Sequence, residues 1–116
     1  MTRRIIEFDA PGGQDLKRVS PLQTFATGTI NYIEARFNLS DTWAGYTECF
    51  AVWYNGRTKK ETPIDESGVI VIPREVLEQP GTLKVNLCFN HTDSNGLTAR
   101  LTSRPVEVLQ LVKANY

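Results

Sequence analysis

Apolar and polar residues alternate with a period of two along most of the chain, and clusters of glycine, proline, asparagine and aspartate interrupt the alternation at short intervals. Successive side chains of an extended strand point to opposite faces, so the pattern predicts short β-strands with one buried and one wetted face. Helical spacing is nearly absent. The first expected strand is Arg4–Phe8, closed by Asp9-Ala-Pro-Gly-Gly13 as a turn or mobile loop; Leu16–Val19 follows and ends near Pro21. Thr29–Leu39 comes next, with Ile33, Ala35, Phe37 and Leu39 on the core face and Tyr32, Glu34, Arg36 and Asn38 on the other. Ser40–Gly45 turns the chain, and Trp43 is expected to fold back as a lid over one end of the layered strands.

Glu48–Asn55, containing Trp53 and Tyr54, is apolar at both parities, as in a central strand. Asn55-Gly56 is a hairpin turn, because both residues tolerate positive φ. The return strand, Arg57–Ile64, carries lysines, a glutamate and Pro63, which marks it as an edge guarded by charge against stray pairing. Asp65–Gly68 is another turn, leading to a short strand, Val69–Ile72. Pro73–Glu78 is expected to form one or two helical turns that plug an end of the fold, with Pro73 opening it, Val76 and Leu77 facing inward, and Pro80-Gly81 stopping it. Thr82–His91 alternates again, with Leu83, Val85, Leu87 and Phe89 on one face and Lys84, Asn86, Cys88 and Asn90 on the other. After the Asp93–Gly96 turn, Leu97–Arg104 and Pro105–Val112 complete the set, with a break or bulge at Pro105 and with Val106 and Val108 facing in. Many short strands in a chain of 116 residues predict one all-β domain spanning residues 1–116. Within it, residues 1–14 are expected to form a mobile or docking segment.

Composition narrows the partners. Lysine plus arginine number 13 and aspartate plus glutamate 13, so no bulk charge draws the chain to nucleic acid or anionic lipid. No apolar run approaches the ~20 residues of a membrane span. Glu7 and Asp9 interrupt the N-terminal apolar residues before they reach signal-peptide length, so synthesis in the cytoplasm is expected. Neutrality also weakens repulsion between copies, which suits a homo-oligomer or an assembly.

The candidate chemistry is sparse. Cys49 and Cys88 are the two cysteines, and the favoured reading is a pair of buried free thiols. An inter-sheet disulfide is the alternative, weakened because Cys88 sits on the face opposite the main core. His91 is the single histidine, beside a polar turn, so neither a zinc spacing nor an acid–base pair is present. Asp65 and Glu66 read as turn residues, and Gly12-Gly13 lacks the rest of a phosphate-binding loop. No Gly-x-Ser-x-Gly element occurs. No enzyme activity, cofactor or metal is expected. The basic cluster Arg57, Lys59 and Lys60 reads first as a charged edge. Aromatic residues remain as binding candidates, because tyrosine and tryptophan anchor protein interfaces and stack on sugars. The binding candidates are Tyr32, Tyr46, Tyr54, Arg57, Lys59 and Tyr116, and the scaffold candidates are Phe37, Trp43, Trp53, Pro73, Leu77 and Gly81.

Five stretches carry a resemblance. They are Phe37 and Leu39 leading into Trp43-Ala-Gly45; Ala51-Val-Trp53; Val71-Ile-Pro-Arg-Glu-Val-Leu77; Pro80-Gly-Thr-Leu-Lys-Val85; and Leu101-Thr-Ser-Arg-Pro-Val-Glu-Val108. In these the sequence resembles a small immunoglobulin-like domain of virion proteins from phages of Gram-positive bacteria, found in tail, baseplate and head-fibre components. The resemblance implies an immunoglobulin-like β-sandwich with one short helical turn near 73–78. It also implies a structural role in a virion, as an assembly or binding module on capsid, head fibre, capsid decoration, tail or baseplate. The partners would then be other virion proteins or further copies of the chain. The polar N-terminal stretch with Pro11-Gly-Gly13 has no counterpart in that resemblance. The alternative expectation is a carbohydrate-binding or adhesin-type domain, with exposed aromatics stacking on host-surface glycans.

Overall fold

The computed structural model describes residues 4–12, 15–29, 31–39 and 48–114. Among these the chain forms ten strands and one short 3₁₀ helix. The strands are β1 (Arg4–Gly12), β2 (Asp15–Arg18), β3 (Gln23–Ala26), β4 (Ile33–Leu39), β5 (Glu48–Asn55), β6 (Thr58–Pro63), β7 (Val69–Val71), β8 (Gly81–Thr92), β9 (Thr98–Thr102) and β10 (Val106–Val112). The 3₁₀ turn, Arg74–Leu77, lies between β7 and β8. One sheet has the order β2-β1-β4-β7, and the other has β3-β10-β8-β5-β6 with β9 also paired to β8. The two sheets pack as a sandwich around one apolar cluster.

Alternation decides which side chains form that cluster. From the first sheet come Ile6, Phe8 and Ala10 of β1, Leu16 of β2, and Ile33, Ala35 and Phe37 of β4. From the second come Ala51 and Trp53 of β5, Leu83, Val85, Leu87 and Phe89 of β8, and Val108, Leu109 and Leu111 of β10. The inward parities expected for β4 and β8 are those observed. Phe8 stacks on Phe37 with ring centroids 5.0 Å apart, and Phe37 meets Trp53 of the opposite sheet at 6.2 Å. The indole N–H of Trp53, buried and therefore in need of an acceptor, donates to the Thr62 hydroxyl at 2.8 Å.

Several expectations change in the structure. The first strand does not stop at Phe8: it continues through Asp9–Gly12, pairs in parallel with β4 as far as Ala10 opposite Leu39, and pairs with β2 on its other edge. Ala10 is fully buried, and residues 4–12 are built into the sheet as one of its inner strands. The long strand begins at Ile33 and not at Thr29, because Thr29 donates its hydroxyl to the Ala26 carbonyl (2.8 Å) and Asn31 adopts a left-handed φ of 55°. No strand was expected at Gln23–Ala26, yet β3 pairs in parallel with β10. A four-residue strand with weak alternation gives little periodic signal, and its pairing is non-local. Pro21 separates β2 from β3, at the point where the chain crosses from one sheet to the other. Across that crossing the Arg18 guanidinium reaches the Glu107 carbonyl of β10 at 2.6 Å.

The break expected at Pro105 is present, and a register shift between Glu107 and Leu109 follows it. The bulge turns Val108 and Leu109 inward together, whereas Val106 is only partly buried. The 3₁₀ turn closes one end of the sandwich with Val76 and Leu77, as expected. The buried Asn55 amide holds it, donating to the carbonyls of Val76 and Gln79, each at 2.9 Å. Gly81 starts β8 at φ +140°, and a Cβ there would stand 2.9 Å from the Asn55 side-chain oxygen. Gly68 is equally constrained, since a Cβ would collide with the Phe37 carbonyl oxygen, while its own carbonyl accepts from the Phe37 N–H at 2.8 Å. Trp43 falls outside the described residues.

Two substitutions test this packing. Trp53→Ala removes the ring that joins the sheets and is expected to cost about 3–5 kcal/mol, read as a lowered urea midpoint. Asn55→Ala leaves unpaired the Val76 carbonyl of the 3₁₀ turn and the Gln79 carbonyl after it, with an expected loss of about 1–3 kcal/mol in the same measurement.

Candidate binding surface

The face of the six-stranded sheet that points away from the core carries most of the chemistry. Its rows follow from strand register. One row runs Lys59 (β6), Tyr54 (β5), Lys84 (β8), Glu107 (β10). The next runs Glu61, Val52, Asn86, and a third runs Pro63, Phe50, Cys88, Thr102. The apolar second parity of β5 thus lies on the outer face, and Val52 is buried there without belonging to the core cluster. Asn86, Cys88 and Asn90 lie on the face opposite the core, as expected, and Cys88 is buried as its free-thiol reading required; Asn86 and Asn90 are buried with it, because the β5 side chains and β9 flank them. Arg100 of β9 donates through Nε to the Asn90 side-chain oxygen (2.9 Å), and its guanidinium stands 5.8 Å from the Phe50 ring centroid.

A pocket of about 350 Å³ opens on this face, lined by Tyr54, Lys84, Asn86, Thr102, Ser103 and Pro105. Its origin is a gap in the ladder. β10 pairs with β8 up to Val106 opposite Val85, and β9 resumes the pairing at Thr102 opposite Cys88. Between them Pro105 has no N–H to donate, so the backbone leaves the regular pattern. Ser103 bridges the gap by accepting from the Leu87 N–H through its hydroxyl and donating its own N–H to the Leu87 carbonyl, both at 2.8 Å. Asn86 therefore has Val52 as its neighbour on the β5 side and only the gap on the other.

Of the binding candidates expected from the sequence, Tyr54 and Lys59 are brought together as cross-strand neighbours, and Tyr54 lines the pocket. Lys59 lies 3.9 Å from Glu61 on the exposed edge strand, which supports the charged-edge reading of this segment. Arg57 is exposed in the β5–β6 turn. Tyr32 is elsewhere: it precedes β4 in the other sheet and packs partly against the core. Tyr46 and Tyr116 fall outside the described residues. The sequence reading missed Asn86, Thr102, Ser103 and Pro105 as a group. Their one visible signal was an apolar outer parity in β5 facing polar residues in β8.

The remaining titratable groups are scattered. His91 is exposed on β8. Asp65 sits in its turn with its carboxyl held below the usual range, first by the Ser67 hydroxyl and then by the Ser67 N–H. Among the described residues no group of three or more histidine, cysteine, aspartate or glutamate side chains could hold a metal ion. None of the described helices is long and apolar enough to cross a membrane. Cys49 and Cys88 are both free. They lie on opposite faces of one sheet, since Cys49 packs against the core and Cys88 pairs with outward-facing Phe50.

The chain matches no protein-family model and no curated protein. Among solved structures it is similar to the N-terminal domain of phage TP901-1 ORF48, with a TM-score of 0.56 and 13% identity, over 97% of this chain and 100% of that one. At that identity the likeness is one of fold.

Burial, and secondarily the Cys88 sulfur, pushes the Cys49 thiol from its ordinary 9.0 up to about 12. Between those values the unfolded chain binds fewer protons than the folded one, so stability from this group is full below 9.0 and falls as pH rises through the window. Urea midpoints measured from about pH 8 to about pH 11 are expected to fall less steeply for Cys49→Ala than for the parent chain.

Proposed function

We propose that this domain is a structural module of a phage virion, acting by docking on neighbouring virion proteins and not by catalysis. The observation that carries the reading is the end-to-end fold likeness to a domain of a phage protein. The strand order supports the immunoglobulin-like part of it. The order β10-β8-β5-β6 facing the β4–β7 pair is that of strands G-F-C-C′ facing B-E, and Trp53 then occupies the core position of the tryptophan on strand C. In this reading the β1–β2 hairpin is an addition beside strand B.

Docking through strand edges and loops fits the surface. Among the described residues Thr98–Thr102 pairs with β8 along one edge only, and Leu97 before it is 71% exposed. Unlike β6, β9 lacks the lysines, glutamate and proline that discourage pairing. Partners are other virion proteins or further copies of the chain, and the location is the particle, after synthesis in the host cytoplasm. Electron microscopy of particles made with and without the protein tests this. Loss of a discrete density at head or tail is the expected result, and particles of unchanged density would overturn the reading.

A further inference from the structure

The pocket beside Pro105 contains a polar group that the protein leaves largely unanswered. Asn86 is only 4% exposed, and its amide nitrogen reaches one partner, the Cys88 sulfur, at 3.7 Å. A thiol is a weak acceptor. The Asn86 side-chain oxygen has no hydrogen bond among the described residues. Buried amides are almost always paired, so one aimed into an open pocket points to something that enters it.

We propose that this pocket is a binding site for a sugar residue of a glycan. The floor offers one donor and one acceptor on the same amide, which is what a hydroxyl group, itself donor and acceptor, requires. Tyr54 and Pro105 also line the pocket, and their rings supply apolar surface, aromatic in the case of Tyr54, suited to the C–H face of a pyranose. Lys84 and Thr102 add further polar contacts at the wall. A peptide strand is a poorer occupant, because the β8 backbone beneath the pocket is already paired with β5 on one edge and with Ser103 on the other. An apolar ligand would leave the Asn86 amide unpaired. A metal ion finds no carboxylate in the lining. The site is independent of the virion reading, since it depends on the pocket and not on the particle.

Titration of the isotope-labelled chain with glucose, galactose, mannose and N-acetylglucosamine, followed by amide NMR, tests the proposal. At least one sugar is expected to give saturable shifts of the Asn86 side-chain amide and of Lys84, Thr102 and Ser103, with a dissociation constant on the order of 1 mM. Tyr54→Ala changes a half-buried surface ring and is expected to weaken that binding by about tenfold or more. Asn86→Leu should abolish it, with a retained amide spectrum showing that the fold persists. Absence of saturable shifts with all four sugars would sink the proposal. So would binding of unchanged strength in Tyr54→Ala, or shifts of the pocket residues by a proline-containing peptide and by none of the sugars.

Discussion

The contact between Phe37 and Trp53 is the one on which the two-layer arrangement depends. Each sheet alone is a twisted surface with one apolar face, stable only when that face is covered. Phe37 lies in the first sheet and is stacked on Phe8, so the pair forms a platform; Trp53 meets it from the second sheet. Ala35 and Ala51, both fully buried, leave room beside the large rings. Because the indole N–H must also be paired, Thr62 ties the core to the charged edge strand β6. A small sandwich thereby obtains its inter-sheet distance from three rings and its edge position from one hydrogen bond.

Polar side chains close the fold where strands end. Asn55 ends β5, and its amide replaces the backbone partners that the 3₁₀ turn cannot supply for the Val76 and Gln79 carbonyls. That arrangement requires Gly81 beside it, since a side chain would press on the Asn55 oxygen. Gly68 lets the β6–β7 turn approach the Phe37 backbone in the same way. The Arg18 guanidinium does comparable work at the other edge by spanning the two sheets to the Glu107 carbonyl. The Asn55 amide pairs the Val76 carbonyl, which would otherwise be buried without a partner.

The pocket arises from the same accounting. Pro105 cannot donate to β8, so the ladder lapses between β9 and β10 and Ser103 repairs only part of it. The outer face then has a recess where a regular sheet would have a cross-strand neighbour. Asn86 lies at its floor, between an apolar row from β5 and a gap, in a setting that demands a partner with both hydrogen-bonding roles.

Local pattern alone determined the all-β class, the inward faces of β4 and β8, the charged edge at β6, the short helical turn and the break at Pro105. Each depends on alternation, turn residues or the missing proline N–H, all of which act within a few residues of chain. The full length of β1, the existence of β3, the inward turn of Leu109 and the burial of Asn86 and Asn90 were decided by the tertiary structure. Parallel pairing of β1 with β4 and of β3 with β10 joins segments far apart in sequence, and alternation carries no information about which strand lies alongside. The pocket was illegible for the same reason: Tyr54, Asn86 and Pro105 lie on three elements, and only register across β5, β8 and the gap brings them together.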